Sequence, residues 1–221
     1  MIQRLREAAS SGETLIAVVA DQRRRGMGAD LAVQVDANYL NIDTEARGCT
    51  WNHSTAWRAL AEAAPQPGQF CLVLEDDAVP VEGFRDQLTA ALAEAPAGIV
   101  SLYLGRGYID DRRTENFLRR AEVLDTNWIV THGRIMHAVA LAVRSDLITE
   151  LVDNLPTGKQ PFDRALSMWT RRRGHQIAYS WPSLVDHADH PSLVTRYNRS
   201  ERRAWRTGVR EDWHDKMMHM V

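Results

Sequence analysis

The stretch at residues 70–80, FCLVLEDDAVP, constrains this chain most. Its apolar half, from Phe70 to Leu74, has the length and composition of a fully buried strand, and it runs without a break into Glu75, Asp76 and Asp77. Adjacent carboxylates repel one another and are costly to desolvate. Three of them at the edge of a core either form a solvated acidic turn, closed here by Pro80, or hold a cation. The strand also implies a sheet around it, since such a segment must be covered on both faces.

The flanking sequence supplies that sheet. Residues 14–20 (TLIAVVA) read as another buried strand ending at Asp21, residues 31–40 (LAVQVDANYL) as an alternating strand, and residues 98–104 (GIVSLYL) as a strand ending at Gly105 and Arg106. Further strands are expected at 127–131, 137–143 and 177–181. Between them lie helical patterns at 48–63, with Trp57 and Leu60 on one face, and at 83–95, 145–155 and 161–173. Pro65, Pro67 and Gly68 stop the first of these helices, and Gly174 stops the last. The charged segment 110–120 has no clear assignment. Alternating strands and helices predict an α/β domain with a mostly parallel, Rossmann-like central sheet flanked by helices. In such sheets ligands bind beyond the carboxyl ends of the strands, so Asp21, the acid tip and Gly105 are expected on one edge.

At 221 residues the chain suits a single domain, taken as residues 1–195, with a basic, helical tail expected at 196–221. Hydrophobic content of 44% and charged content of 25% are ordinary for a folded protein, which argues against a disordered body. Cys49 and Cys71 lack CxxC spacing and indicate neither a zinc finger nor a disulfide framework. No apolar core of signal-peptide length opens the chain, and the apolar run at 15–20 is too short to span a bilayer, so a cytoplasmic protein is expected.

Several segments carry candidate chemistry. Residues 21–28 (DQRRRGMG) follow a strand with arginines and glycines, which suits either an anion cradle built around Arg23 and Arg24 or a surface turn. Asp163 opens a helix after Pro161, where the helix dipole stabilises a carboxylate. His187 and His190 stand among Asp186 and Asp189, a set able to ligate metal. The tail segment 196–210 holds six arginines and one acid, with Tyr197 and Trp205 between them. Arg196, Arg199, Arg202, Arg203 and Trp205 suit a nucleic acid, while the same pattern also suits an amphipathic helix packed through Trp205.

The ordered set Gly48-Cys49-Thr50-Trp51-Asn52-His53, Trp57, LVLEDDAVP, AVALAVRSDLITELV and Pro161-Phe162-Asp163, with a histidine near a closing serine, resembles the family 25 glycosyltransferases and their bacteriophage-encoded relatives over about residues 40 to 195. The departure is Asn52, where that family has serine. The resemblance implies a GT-A fold, a nucleotide-sugar donor with uridine diphosphate the commonest, and Mn²⁺ or Mg²⁺. In its terms Asp77, Glu75 and His187 hold the cation, and Asp21, Arg23, Arg24 and Asp76 bind the donor. Asn52, His53, Gly105, Arg106 and His190 line the donor or acceptor pocket, and Asp163 is the general base, with Asp110 and Asp111 in reserve. The basic tail favours 5-hydroxymethylcytosine in DNA as acceptor, a bacterial surface oligosaccharide being the alternative. From another class, the same acids suit a metal-dependent phosphohydrolase or a binding module without turnover.

Overall fold

The computed structural model describes residues 2–106, 111–155, 161–190, 193 and 202–220. In chain order the elements are α1 (Ile2–Ser11), β1 (Leu15–Asp21), a short 3-10 turn (Gln22–Arg24), α2 (Arg25–Gln34), β2 (Tyr39–Asp43), α3 (Cys49–Glu62), β3 (Phe70–Glu75), β4 (Ala78–Pro80) and α4 (Phe84–Ala93). They continue with β5 (Ile99–Ser101), α5 (Asp111–Val123), β6 (Trp128–His132), β7 (Ala140–Arg144), α6 (Ser145–Asp153), α7 (Phe162–Arg173), β8 (Gln176–Ser180), β9 (Val185–His187) and β10 (Met217–His219). None of the described helices is long and apolar enough to cross a membrane.

Eight strands form one sheet in the order β10-β6-β8-β5-β7-β3-β1-β2, and β4 pairs with β9 in a separate two-stranded sheet. Neighbours β2-β1, β1-β3, β5-β8 and β10-β6 run parallel, while β3-β7, β7-β5 and β8-β6 run antiparallel. Hence β1, β2, β3 and β5 point the same way, and their carboxyl ends share an edge. Register places Asp21 opposite Asp43 and Glu75 opposite Val19.

Strand residues alternate between the two cores, as the pleat requires. Leu15, Ala17 and Val19 of β1 and Cys71 and Val73 of β3 pack with Trp57, Leu60, Ile148, Leu151, Phe162 and Trp169 from α3, α6 and α7. Ile16, Val18, Leu72 and Leu74 face the other side, against Leu31, Phe84, Leu88 and Leu92 from α2 and α4. Both faces of the central strands are therefore covered, which is why they read as unbroken apolar runs.

Two expectations are corrected. Residues 31–34 are helical, and the strand begins at Tyr39. Leu31 and Val35 are buried four positions apart while Val33 between them is 82% exposed, a helical spacing that short alternation imitates. The glycines of the 21–28 segment likewise do not form a loop. Gly28 lies within α2, where an added Cβ would fall 2.5 Å from Cβ of Ala20, so this glycine lets the helix pack closely on β1.

The described part of the tail is the second correction, for it contains no helix. It crosses the end of β5 through a bridge between Gly105 and Ala204, meets Ser183 at Thr207, and finishes as β10 beside β6. Trp213 is buried against Trp128 at 5.4 Å and donates from Nε1 to Gln87, while Arg210 donates to the carbonyls of Trp181 and Thr126. Partners far along the chain thus hold this segment extended. The charged segment left unassigned becomes α5, with Thr114, Leu118 and Ala121 buried on one face.

Candidate active site

The acids at the tip of β3 part company as soon as the strand ends. Glu75 turns toward α3, where its Oε1 lies 2.9 Å from His53 Nε2 and 3.7 Å from Cys49 Sγ. Asp76 turns toward β1 and accepts the backbone N–H of Asp21 at 2.9 Å. Asp77 faces β9, because the β4-β9 ladder pairs Ala78 with His187 and brings His187 Nε2 to 3.4 Å from Asp77 Oδ2. One guanidinium joins the last two acids: Arg24 Nη1 lies 3.1 Å from Asp76 and 2.5 Å from Asp77. With Asp76 9% and Asp77 5% exposed, this is a buried cluster with two negative charges against one positive.

The charge balance follows these contacts. Burial holds the Asp76 carboxyl above its ordinary range, against the lowering effect of the Asp21 amide and Arg24. Burial also pushes Glu75 up, yet its hydrogen bond and attraction to His53 outweigh that and leave it below the usual range. Asp21, gripped by Arg23 through two 2.8 Å contacts, is lowered to about 2, chiefly by that hydrogen bond. His187 is held below the ordinary imidazole range by desolvation.

The two histidines differ in their free nitrogens. His187 Nδ1 accepts the backbone N–H of Asp189 at 2.8 Å, so the neutral ring carries its proton on Nε2 and directs an N–H at Asp77. A metal-binding imidazole needs the reverse arrangement, with the distal nitrogen donating. As folded, His187 is therefore a donor that orients Asp77, and the expected set of Asp77, Glu75 and His187 is divided between two sides of the cleft.

A loop shaped by Asp43 forms the near wall. Its carboxylate is buried at the end of β2 and accepts the backbone N–H groups of Arg47 at 3.0 Å and Gly48 at 2.6 Å. Gly48 sits at φ +98°, a conformation that favours glycine, and launches α3 so that Cys49, Asn52 and His53 face β1 and β3. Asn52 donates to the Ala20 carbonyl at 2.8 Å and accepts from Asn41 at 2.6 Å, which ties the helix to the strand ends. Phe162 stacks on His53 at 4.4 Å between centroids and so docks the start of α7 beside α3. That docking brings Asp163 close enough for its charge to act on the Cys49 thiol, which is raised well above its ordinary range by desolvation first and then by Glu75 and Asp163.

A cleft of about 170 Å³ opens among these groups, lined by Asp21, Arg23, Arg24, Asp43, Cys49, Asn52, His53, the three tip acids and Arg202. Typical small-molecule pockets hold roughly 300–1,000 Å³. This one has room for a compact charged group, with the rest of a larger ligand outside. Of the residues expected in a pocket, Asn52 and His53 line it, whereas Gly105, Arg106 and His190 are absent from its walls. Gly105 bridges Ala204 and crowds Tyr103, Arg106 lies over the Trp205 ring at 5.3 Å, and the exposed His190 accepts from Arg202 through its carbonyl. Asp110 lies outside the described residues, as do Arg196 and Arg199.

The tail arginines among the described residues are tied into the fold. Arg202 pairs with Asp189 and Arg203 with Asp186, while Arg206 meets Glu122 and Arg210 meets Asp125. Among the described residues each arginine of the tail thus has an internal carboxylate partner, and Trp205 packs against the core. Arg202 takes a different place from the one expected, because Tyr103 donates to its carbonyl at 2.5 Å and sets it on the cleft wall. Sequence reading missed Asp43 and gave Cys49 no role. The signal for Asp43 was its position after a β-run (YLNID), the same pattern that singled out Asp21.

No family model matches the chain, and no curated protein does so. Among solved structures, the crystal structure of A197 from STIV aligns with 84% of this chain and 99% of that one at 9% identity and a TM-score of 0.36. A likeness that remote carries no argument about this protein.

Proposed function

We propose that this protein is a glycosyltransferase that takes a sugar from a nucleotide-diphosphate donor and passes it to a hydroxyl acceptor. The observation that carries the reading is the convergence of Asp21, Asp43, Glu75, Asp76 and Asp77 with Arg23, Arg24 and Arg202 on one cleft at the carboxyl edge of parallel strands. Buried charge of this density is costly and collects where a protein handles charged ligands. The order of sequence motifs that resembles family 25 supports the same activity.

The oxygens of Asp76 and Asp77 fit a hard divalent cation, because their two negative charges are offset by Arg24 alone. Held there, Mn²⁺ or Mg²⁺ would neutralise charge on the leaving diphosphate. His187 contributes an N–H that fixes the Asp77 carboxylate. Arg24 and Arg202 line the cleft and place positive charge beside the diphosphate, while their guanidiniums also hold Asp76, Asp77 and Asp189. Asp163, half-buried at the start of α7, outside the cleft's lining but near enough for its charge to act on Cys49, accepts the proton of the acceptor hydroxyl as its oxygen attacks the anomeric carbon. The acceptor is assigned by class alone: the tail arginines among the described residues are paired within the fold, so a saccharide hydroxyl stands level with 5-hydroxymethylcytosine.

The test is to incubate the protein with Mn²⁺, a panel of nucleotide sugars, and two acceptors, DNA containing 5-hydroxymethylcytosine and a bacterial oligosaccharide. A hexose mass gain on either acceptor, lost in Asp77→Asn, is the expected result. Phosphate release without an acceptor would reassign the site to a phosphohydrolase, and cation-dependent donor binding without transfer to a binding module.

A further inference from the structure

We propose that Cys49, His53 and Glu75 form a separate site for a borderline divalent cation of the Zn²⁺ type, on the α3 side of the cleft. Their ligand atoms, one sulfur, one nitrogen and one oxygen, all lie within 4.8 Å of one another. A tetrahedral Zn²⁺ with bonds of about 2.0–2.3 Å holds its ligands roughly 3.3–3.8 Å apart. The Cys49 Sγ to Glu75 Oε1 separation of 3.7 Å already meets that spacing. The His53 Nε2 to Glu75 Oε1 pair, at 2.9 Å, must open by less than an ångström.

The architecture supports the assignment independently of the distances. Cys49 and His53 are four residues apart in α3, so both project from the same helical face toward β3. His53 is 1% exposed and held by the Phe162 stack, so its ring is already placed. With Glu75 ionised, His53 Nε2 bears the proton and donates to Glu75 Oε1, while its Nδ1 has no hydrogen-bond partner among the described residues. An ion at Nε2 would shift that proton to Nδ1, which no backbone N–H occupies, whereas the backbone N–H of Asp189 holds the corresponding nitrogen of His187 as an acceptor. Cys49 lines the cleft, which leaves a fourth coordination position on the cleft side for water or a ligand oxygen. A donor set with sulfur and imidazole selects Zn²⁺ or Co²⁺ over Mg²⁺, whereas the all-oxygen Asp76-Asp77 pair has the opposite preference.

This site stands apart from the transferase reading, and its test uses no transfer assay. The chelator-treated full-length protein is titrated with Co²⁺, whose bond to a thiolate produces a charge-transfer band in the near ultraviolet, and Zn²⁺ is then added in competition. We expect the band in the native protein and its loss in Cys49→Ser, with a fall in Zn²⁺ affinity of at least about 10²-fold, since loss of a supporting contact alone costs 10–100-fold. Glu75→Gln should keep the band at lower affinity, and Asp77→Asn should leave both unchanged. Absence of the band in the native protein, its survival in Cys49→Ser, or equal weakening in Asp77→Asn would overturn the site. A band without sugar transfer leaves this inference standing while the transferase reading fails.

Discussion

Replacing Arg24 by methionine tests whether the acid tip is a charge cluster held by one guanidinium. Methionine keeps much of the aliphatic stem and removes the charge, leaving Asp76 and Asp77 buried with the His187 N–H and the Asp21 amide as the partners of their side chains among the described residues. Removing one member of a buried ion pair costs about 3–5 kcal/mol. The Arg24 side chain is 11% exposed and opens on the cleft, so the lower end, about 3 kcal/mol, is expected. For a chain of this length that corresponds to a fall in Tm of roughly 6–12 °C.

The pH dependence fixes the cause. Asp76 is already above its ordinary carboxylate range, and without Arg24 it moves higher. A carboxyl whose folded pKa exceeds its unfolded value favours the folded state below the unfolded pKa and loses that advantage as pH rises through the folded value. The deficit of Arg24→Met should therefore be full at pH 7 and shrink as the pH falls toward about 4. Millimolar Mn²⁺ should also restore part of it, because an ion bound only by the folded state stabilises that state by mass action. Urea denaturation of both chelator-treated proteins at pH 7 and pH 5, with and without Mn²⁺, measures all three effects. A native-like midpoint at pH 7, or a deficit that does not change with pH, would refute the reasoning.

Two further predictions address packing and catalysis. Gly28→Ala should lose about 1–3 kcal/mol by forcing a Cβ against Ala20, whereas Gly26→Ala, with no atom within 4 Å of its added Cβ, should be neutral or stabilising; equal thermal stability of the two would remove the close packing of α2 on β1. Asp163→Asn should bind donor normally yet turn over about 10² to 10⁴ times more slowly, and an unaltered rate in single-turnover measurements would place the base elsewhere.

The central strands were legible because their pattern is local. Leu15 to Ala20 and Phe70 to Leu74 are buried on both faces, and a run of apolar residues closed by an acid needs no tertiary information to be read as a strand end. Helices α3, α4, α6 and α7 were legible for the same reason, through their spacing and their glycine or proline limits. Residues 31–35 misled because Leu-Ala-Val-Gln-Val satisfies both a period of two and a spacing of four, and only the sheet surface beneath Leu31 and Val35 decides between them.

By itself, then, the sequence determined an α/β sheet with carboxylates at the carboxyl ends of its strands, since burial and periodicity are written residue by residue. Which partner each acid meets was decided only in three dimensions. Neighbours in sequence at an element's end point in divergent directions, so Glu75 reaches α3, Asp76 reaches β1 and Asp77 reaches Arg24 and β9. The same holds for the described part of the tail, where Arg202, Arg203, Arg206 and Arg210, read as free positive charge, are paired with Asp189, Asp186, Glu122 and Asp125 brought from elsewhere in the chain. Composition counts charges, but long-range packing determines which of them remain for a ligand.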